Sequence, residues 1–235
     1  PMSKLVWEPL DDRMLTLASQ WSPIRRKKKP ASQALGRPMR IETWETWLDG
    51  TSKQFPKFAR VEGNASLLAP TPDHIIRAYQ DKSALLPATV MVFAWGSMAR
   101  HKQDLLAHGG KFISDHLRRA MGYVKKGNIH EAWNIMRDEI GWSQVASSKC
   151  LHFMARSCDF KKDPPVPIDN KIIINGLWPD IRERLKEMDL SRLPAWRRGS
   201  WESYVSYMTA IITWAKQKNW TTTEVENTIF SIYKS

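Results

Sequence analysis

The sequence predicts a mainly α protein, and three observations carry that reading. From Thr71 onward, apolar residues recur at helical spacing. Helix-start signals stand at Thr71, Pro72 and Asp73, and again at Thr221 with Glu224 three residues on. Alternating, strand-like runs are scarce, and only KIIIN (171–175) is β-branched enough to compete as a strand. At 235 residues the chain can bury a substantial core, as one large domain or two smaller lobes.

Residues 1–70 read as an N-terminal segment packing on a helical body, 71–235. In that segment IRRKKKP (24–30) is a basic arm closed by proline, which fits a phosphate clamp and a solvated turn equally. Trp44 and Trp47 repeat at i, i+3 and share one helical face, which favours core packing over base stacking. The body opens on Thr71 as a cap, with a proline and an acid in the first turn. LLPATVMVFAWGSMARHK (85–102) reads as a buried helix that turns polar at its end. KFISDHLRRAMGYVKKGN (111–128) is amphipathic, with Phe112, Ile113, His116, Leu117, Met121 and Val124 near one face and Gly127 as its stop. NIHEAWNIMRDEIGW (128–142) repeats the pattern and stops near Gly141. Beyond a proline-rich turn, IIINGLWPDIRERLKEMDL (172–190) carries Pro179 as a first-turn residue, and 201–220 and 221–234 read as two final helices.

Composition narrows the function. There are 36 Lys and Arg against 24 Asp and Glu, a formal charge of +12. Such an excess favours a polyanion, since each neutralised phosphate releases counterions. Two cysteines, Cys150 and Cys158, exclude a disulfide framework and any four-cysteine metal or iron–sulfur site. The six histidines show no ligand-like pair, so no metal is expected. No apolar run reaches membrane-spanning length, and the N-terminus has no secretory pattern, so neither a membrane nor a leader is expected.

The chemistry concentrates in SSKCLHFMARSCDFKKDPPVPIDNK (147–171). Lys149 is expected where one helix begins, where the macrodipole opposes a cation and, with desolvation, pushes the amine toward its neutral, nucleophilic form. Asp169 follows a Pro-Val-Pro-Ile turn as the cap of the next helix, which holds a carboxylate ionised. Position alone also fits a surface lysine and an ordinary capping aspartate.

The stretch SSKCLHFMARSC…PVPIDNKIIINGLW resembles the catalytic region of the helix-hairpin-helix DNA glycosylase superfamily, most of all its 8-oxoguanine DNA glycosylase branch. Lys149 matches that family's lysine, and Val166, Pro167, Ile168 and Asp169 match its turn and aspartate. The departure is the hairpin: IGWSQVASSK (140–149) has one glycine where the family pattern has a Gly-x-Gly. The resemblance implies a two-lobed helical fold with an active-site cleft between the lobes, double-stranded DNA as partner, and no cofactor. It implies flipping of the target nucleotide, Asp169 stabilising the cationic sugar, and Lys149 forming a Schiff base that permits strand cleavage.

Within this layout Phe153, one turn after Lys149, is a base-stacking candidate as well as a core candidate, and Trp214 is placed at the pocket's other side. His152 reads as structural. Trp142, Ser143, Gln144, Ser147 and Ser148 are expected to supply hairpin contacts to phosphate. Arg100, His101, Lys102, Arg197 and Arg198 are expected to face DNA. A monomer is expected, cytoplasmic and nucleoid-associated if prokaryotic. Oxidised guanine is the default target, with a hypermodified phage base, removed as antiviral defence, as the alternative. A non-catalytic DNA-binding module and a helical RNA-binding protein are readings of other classes; the first predicts a damaged Lys–Asp pair, the second a recognisable RNA motif.

Overall fold

The computed structural model describes residues 12–30, 38–45, 48, 55–96, 98, 102–160, 163–190 and 199–234, and among them helix predominates. The helices are α1 (Asp12–Gln20), α2 (Glu42–Glu45), α3 (Pro72–Gln80), α4 (Leu85–Trp95), α5 (Lys102–Leu106) and α6 (Gly110–Lys125). They continue with α7 (Ile129–Asn134), α8 (Gln144–Ser157), α9 (Trp178–Glu187), α10 (Trp201–Lys218) and α11 (Thr222–Tyr233). Two compact units result: one joins Pro1–Ser32 to Lys161–Ser235, and the other is Gln33–Phe160. The division thus falls near 32 and 160 rather than at 70, and the basic arm belongs with the C-terminal helices.

In the unit Gln33–Phe160, α4 is the central element. Every residue from Leu85 to Ala94 is buried, because α3, α6 and α8 all pack on it. That is why its sequence is apolar all round rather than on one stripe. Its one hydroxyl is satisfied: Thr89 Oγ1 donates to Leu85 O at 2.8 Å and meets the buried Tyr79 hydroxyl at 2.8 Å. α3 starts as its residues dictate, Thr71 Oγ1 accepting from the His74 N–H at 3.2 Å with Pro72 in the first turn. Phe112, expected on the buried face of α6, is exposed and stacks on His116 instead.

Two features here escape helical periodicity. A three-stranded antiparallel sheet, β1 (Met39–Arg40), β2 (Arg60–Val61) and β3 (Asn64–Leu68), runs in the order β1-β3-β2. Its strands are too short to show alternation. After α7 the helix widens over Ile135–Glu139 into i→i+5 hydrogen bonding, with Ile140 N–H donating to Ile135 O at 3.0 Å. Trp44 is buried as expected, and Trp47 lies outside the described residues.

In the other unit α1 packs on α10, and α10 on α11. Thr221 and Glu224 form the expected capping box at α11. KIIIN is not a strand; it lies in a π-helical stretch, Asn170–Leu177, that runs straight into α9 with Pro179 in the first turn. Among the described residues, no helix is long and apolar enough to cross a membrane.

Candidate active site

Lys149 does not begin its helix. Ser143 caps α8, its hydroxyl accepting from the Ala146 N–H at 3.3 Å, and Lys149 is the sixth helical residue. The dipole of a helix acts mainly over its first turn, so α8 does not set the field at Lys149 in the expected way. A different helix end does. The Lys149 ammonium donates to the carbonyl of Gly96 at 3.1 Å, and Gly96 is the C-cap of α4. A helix C-terminus is the end that favours a cation, so the expected electrostatic opposition is reversed by tertiary contact.

Gly96 also makes the space. A Cβ there would stand 2.9 Å from both Cδ and Nζ of Lys149. Only a residue without a side chain lets the lysine lie along the end of α4. The result is a lysine 7% exposed, in the same helix as the fully buried Phe153 one turn on. Phe153 meets Trp95 edge-on, with ring centroids 5.1 Å apart and planes at 88°. Phe153 is therefore a core residue, while Trp95, adjacent to Gly96, is half-buried and keeps part of its surface open. Nothing in the local sequence marks Gly96 or Trp95, which lie over 50 positions from Lys149.

The turn ahead of α8 contains one glycine. Gly141 supplies the left-handed turn at φ 81°, where a Cβ would meet nothing, so its backbone angle alone requires glycine. Trp142 is driven inward, with Nε1 donating to Leu105 O at 2.7 Å and its ring edge-on to Phe93. Arg137 covers the Trp142 carbonyl. Four of the five residues expected to touch phosphate here are buried: Trp142, Gln144, Ser147 and Ser148. The Ser148 hydroxyl returns to Val145 O at 3.2 Å. Packing against α4 and α6 draws them inward, and of these five only Ser143 is exposed.

Asp169, in the other unit, stands where the sequence puts it. It is a helix cap whose Oδ1 accepts from the N–H groups of Lys171 at 2.9 Å and Ile172 at 3.1 Å. Oδ2 has no hydrogen bond among the described residues. The turn before it is a buried strap of prolines whose carbonyls need partners. Tyr204 donates to Val166 O at 3.0 Å, Tyr207 to Pro167 O at 3.3 Å, and Thr222 to Pro164 O at 3.3 Å. Burial pushes both tyrosine hydroxyls well above their ordinary range, which keeps them protonated donors. These tyrosines, both on α10, fix the strap and through it Asp169.

The remaining expectations sort quickly. Trp214 is a core residue, its Nε1 donating to Trp21 O at 2.8 Å and Ala18 O at 3.2 Å, so it does not line a base pocket. His152 is buried. Arg100, His101, Arg197 and Arg198 lie outside the described residues, as does the side chain of Lys102, whose backbone opens α5. Among the described residues no group of three or more His, Cys, Asp or Glu side chains could hold a metal.

The sequence model of one protein family, described as "Putative 8-oxoguanine DNA glycosylase OGG-like protein", matches residues 32–230. The match spans both Lys149 and Asp169 and most of the chain, which belongs to this family of DNA glycosylases. Neither a curated protein nor a solved structure matches it.

Proposed function

We propose that this member of the OGG-like family excises oxidised guanine from double-stranded DNA, as a monomer, and then cleaves the strand through a lysine Schiff base. The observation that carries the reading is the seat of Lys149: a long cationic side chain is buried in a gap that a glycine leaves, with its Nζ donating to the carbonyl of that glycine. Burying an amine costs stability, and a solvent-facing lysine would avoid that cost. Retention of a lysine in such a seat fits a nucleophile.

The target nucleotide leaves the stack, since its glycosidic bond cannot be reached within the duplex. As that bond breaks, its electron pair goes to the departing base and the sugar becomes cationic. Asp169 stabilises that cation through Oδ2, while Oδ1 stays on the helix N–H groups. Lys149 gives a proton to the departing base, which carries the electron pair, and its neutral amine then forms a bond to the anomeric carbon. Ring opening gives the Schiff base, which acidifies the neighbouring C–H, and elimination of the 3′ phosphate nicks the strand. Trp95 takes the stacking role, and Ser143 and the exposed Gly141 backbone meet phosphate.

The test is borohydride trapping on duplexes that carry oxidised guanine, other damaged bases or glucosylated hydroxymethylcytosine. A covalent adduct on oxidised guanine that Lys149→Gln abolishes is the expected result. An adduct confined to the glucosylated base would redirect the enzyme to antiviral defence. Excision without any adduct would leave a glycosylase with no lyase step.

A further inference from the structure

The loop after α1 carries the densest charge in the described chain: Arg25, Arg26, Lys27, Lys28 and Lys29 are consecutive and all exposed. It is nevertheless firmly held. Ile24 beneath it is fully buried, and the Lys27 N–H closes a turn on Ile24 O at 2.9 Å. One face of α10 secures its underside. Trp214 holds the Ala18 and Trp21 carbonyls, and Gln217 Nε2 donates to Ala18 O and Ser19 O, each at 3.1 Å.

The last donor in that row is the informative one. Lys218 Nζ caps Lys27 O at 2.9 Å and Arg25 O at 3.3 Å. A neutral amide serves the same purpose one residue earlier, so carbonyl capping does not require a cation. The fold instead sets a sixth positive charge under five others. Among the described residues one carboxylate answers them, Glu224 at 3.1 Å from Lys29. Like charges this close lie within a Debye length of one another and repel, which destabilises the loop unless an anion neutralises it.

An open depression of about 300 Å³ adjoins the loop, lined by Ser19, Ser22, Arg25, Gln217 and Lys218 together with Gln20 and Trp21. No carboxylate is among them. Hydroxyl, amide, guanidinium and ammonium donors are the groups that phosphodiester oxygens accept from.

We propose that Arg25–Lys29 with Lys218 form a sequence-independent contact surface for the phosphate backbone of double-stranded DNA, separate from the residues that carry the chemistry. The loop lies outside the stretch that the family model matches, 32–230. The choice of duplex DNA as the polyanion rests on the glycosylase reading.

The triple variant Arg25→Gln, Arg26→Gln, Lys28→Gln removes three charges and leaves the Lys29–Glu224 pair and the Lys218 caps in place. Its binding to an undamaged duplex of about 20 base pairs is measured across about 50 to 200 mM salt. The expected result is affinity at least about tenfold weaker at the low end and a log–log salt slope shallower by about 2 to 3. The melting temperature should hold or rise, since repulsion is relieved. Unchanged affinity and slope overturn the proposal, and so does a loss confined to single-stranded RNA of the same length. Should the triple variant melt early, Arg26→Glu alone must still weaken duplex binding, and failure to do so also overturns it. Undamaged DNA is the probe, so this result stands apart from base excision: wild-type protein that excises nothing sinks the glycosylase reading, whatever the loop does.

Discussion

Lys149 and Asp169 are both held at helix ends of the polarity that suits them, but by opposite means. Lys149 reaches the C-terminal end of α4 through a gap, where Gly96 withholds a side chain and offers a carbonyl. Asp169 caps the stretch Asn170–Leu177 from a strap crowded with donors, held by Tyr204, Tyr207 and Thr222. One residue is positioned by what is missing and the other by surplus contact. The lysine should therefore be sensitive to small additions nearby, and the aspartate to small deletions.

The largest effect expected within this comparison is at Asp169 itself. Asp169→Asn keeps the cap, because asparagine also accepts from helix N–H groups, but loses the anion. Single-turnover base excision should fall by roughly 10²–10³-fold, with stability changed by less than about 1 kcal/mol. Equal losses in both would make Asp169 a structural cap only.

Gly96→Ala comes next. The added Cβ would stand 2.9 Å from the far end of the flexible Lys149 chain and 3.2 Å from the Val92 carbonyl, so the lysine yields first and the fold should survive while Nζ moves. Schiff-base trapping should drop by roughly tenfold to a hundredfold, as expected for an amine displaced by about 1 Å, with little change in melting temperature. An unchanged trapping rate would show that Gly96 does not position the amine.

Tyr204→Phe and Tyr207→Phe each leave a buried strap carbonyl without its donor. Each should cost about 1–3 kcal/mol in urea unfolding, and excision should weaken as Asp169 loosens. Stability falling with excision intact would separate the strap from the chemistry.

The smallest effect is on pH. Burial pushes the Cys150 thiol up to about 12, helped neither by Tyr79 nor by Lys149, which act the other way. Folding therefore keeps its proton. Its contribution is full below the ordinary value of 9.0 and is lost as the pH climbs through about 12. Wild type should lose stability faster than Cys150→Ala between about pH 9 and 11, read from urea midpoints. Parallel curves would show that the thiol is not protected.

What was legible in the sequence was local. Thr71, Thr221 with Glu224, and Asp169 each cap a helix using residues two or three positions away, so their chemistry is written in one short stretch. The Lys149 seat depends on Gly96, and the strap on tyrosines about 40 residues further on; neither shows periodicity or spacing. Reading Lys149 against its own helix gave the wrong sign of the field for that reason. The buried serines of α8 illustrate the same limit, since hydroxyls beside an apolar helix look alike in sequence whether they face solvent or core. The sheet was missed because strands of two to five residues carry no pattern, and KIIIN because β-branching is compatible with a helix that packs well.

In the proposed reaction the Lys149 amine forms the covalent bond to the sugar. Borohydride-trapped protein, digested and mapped by mass spectrometry, tests it most directly. The expected result is a reduced sugar adduct on the peptide containing Lys149 and on no other. An adduct at another lysine or at the N-terminus, with excision intact in Lys149→Gln, would contradict it.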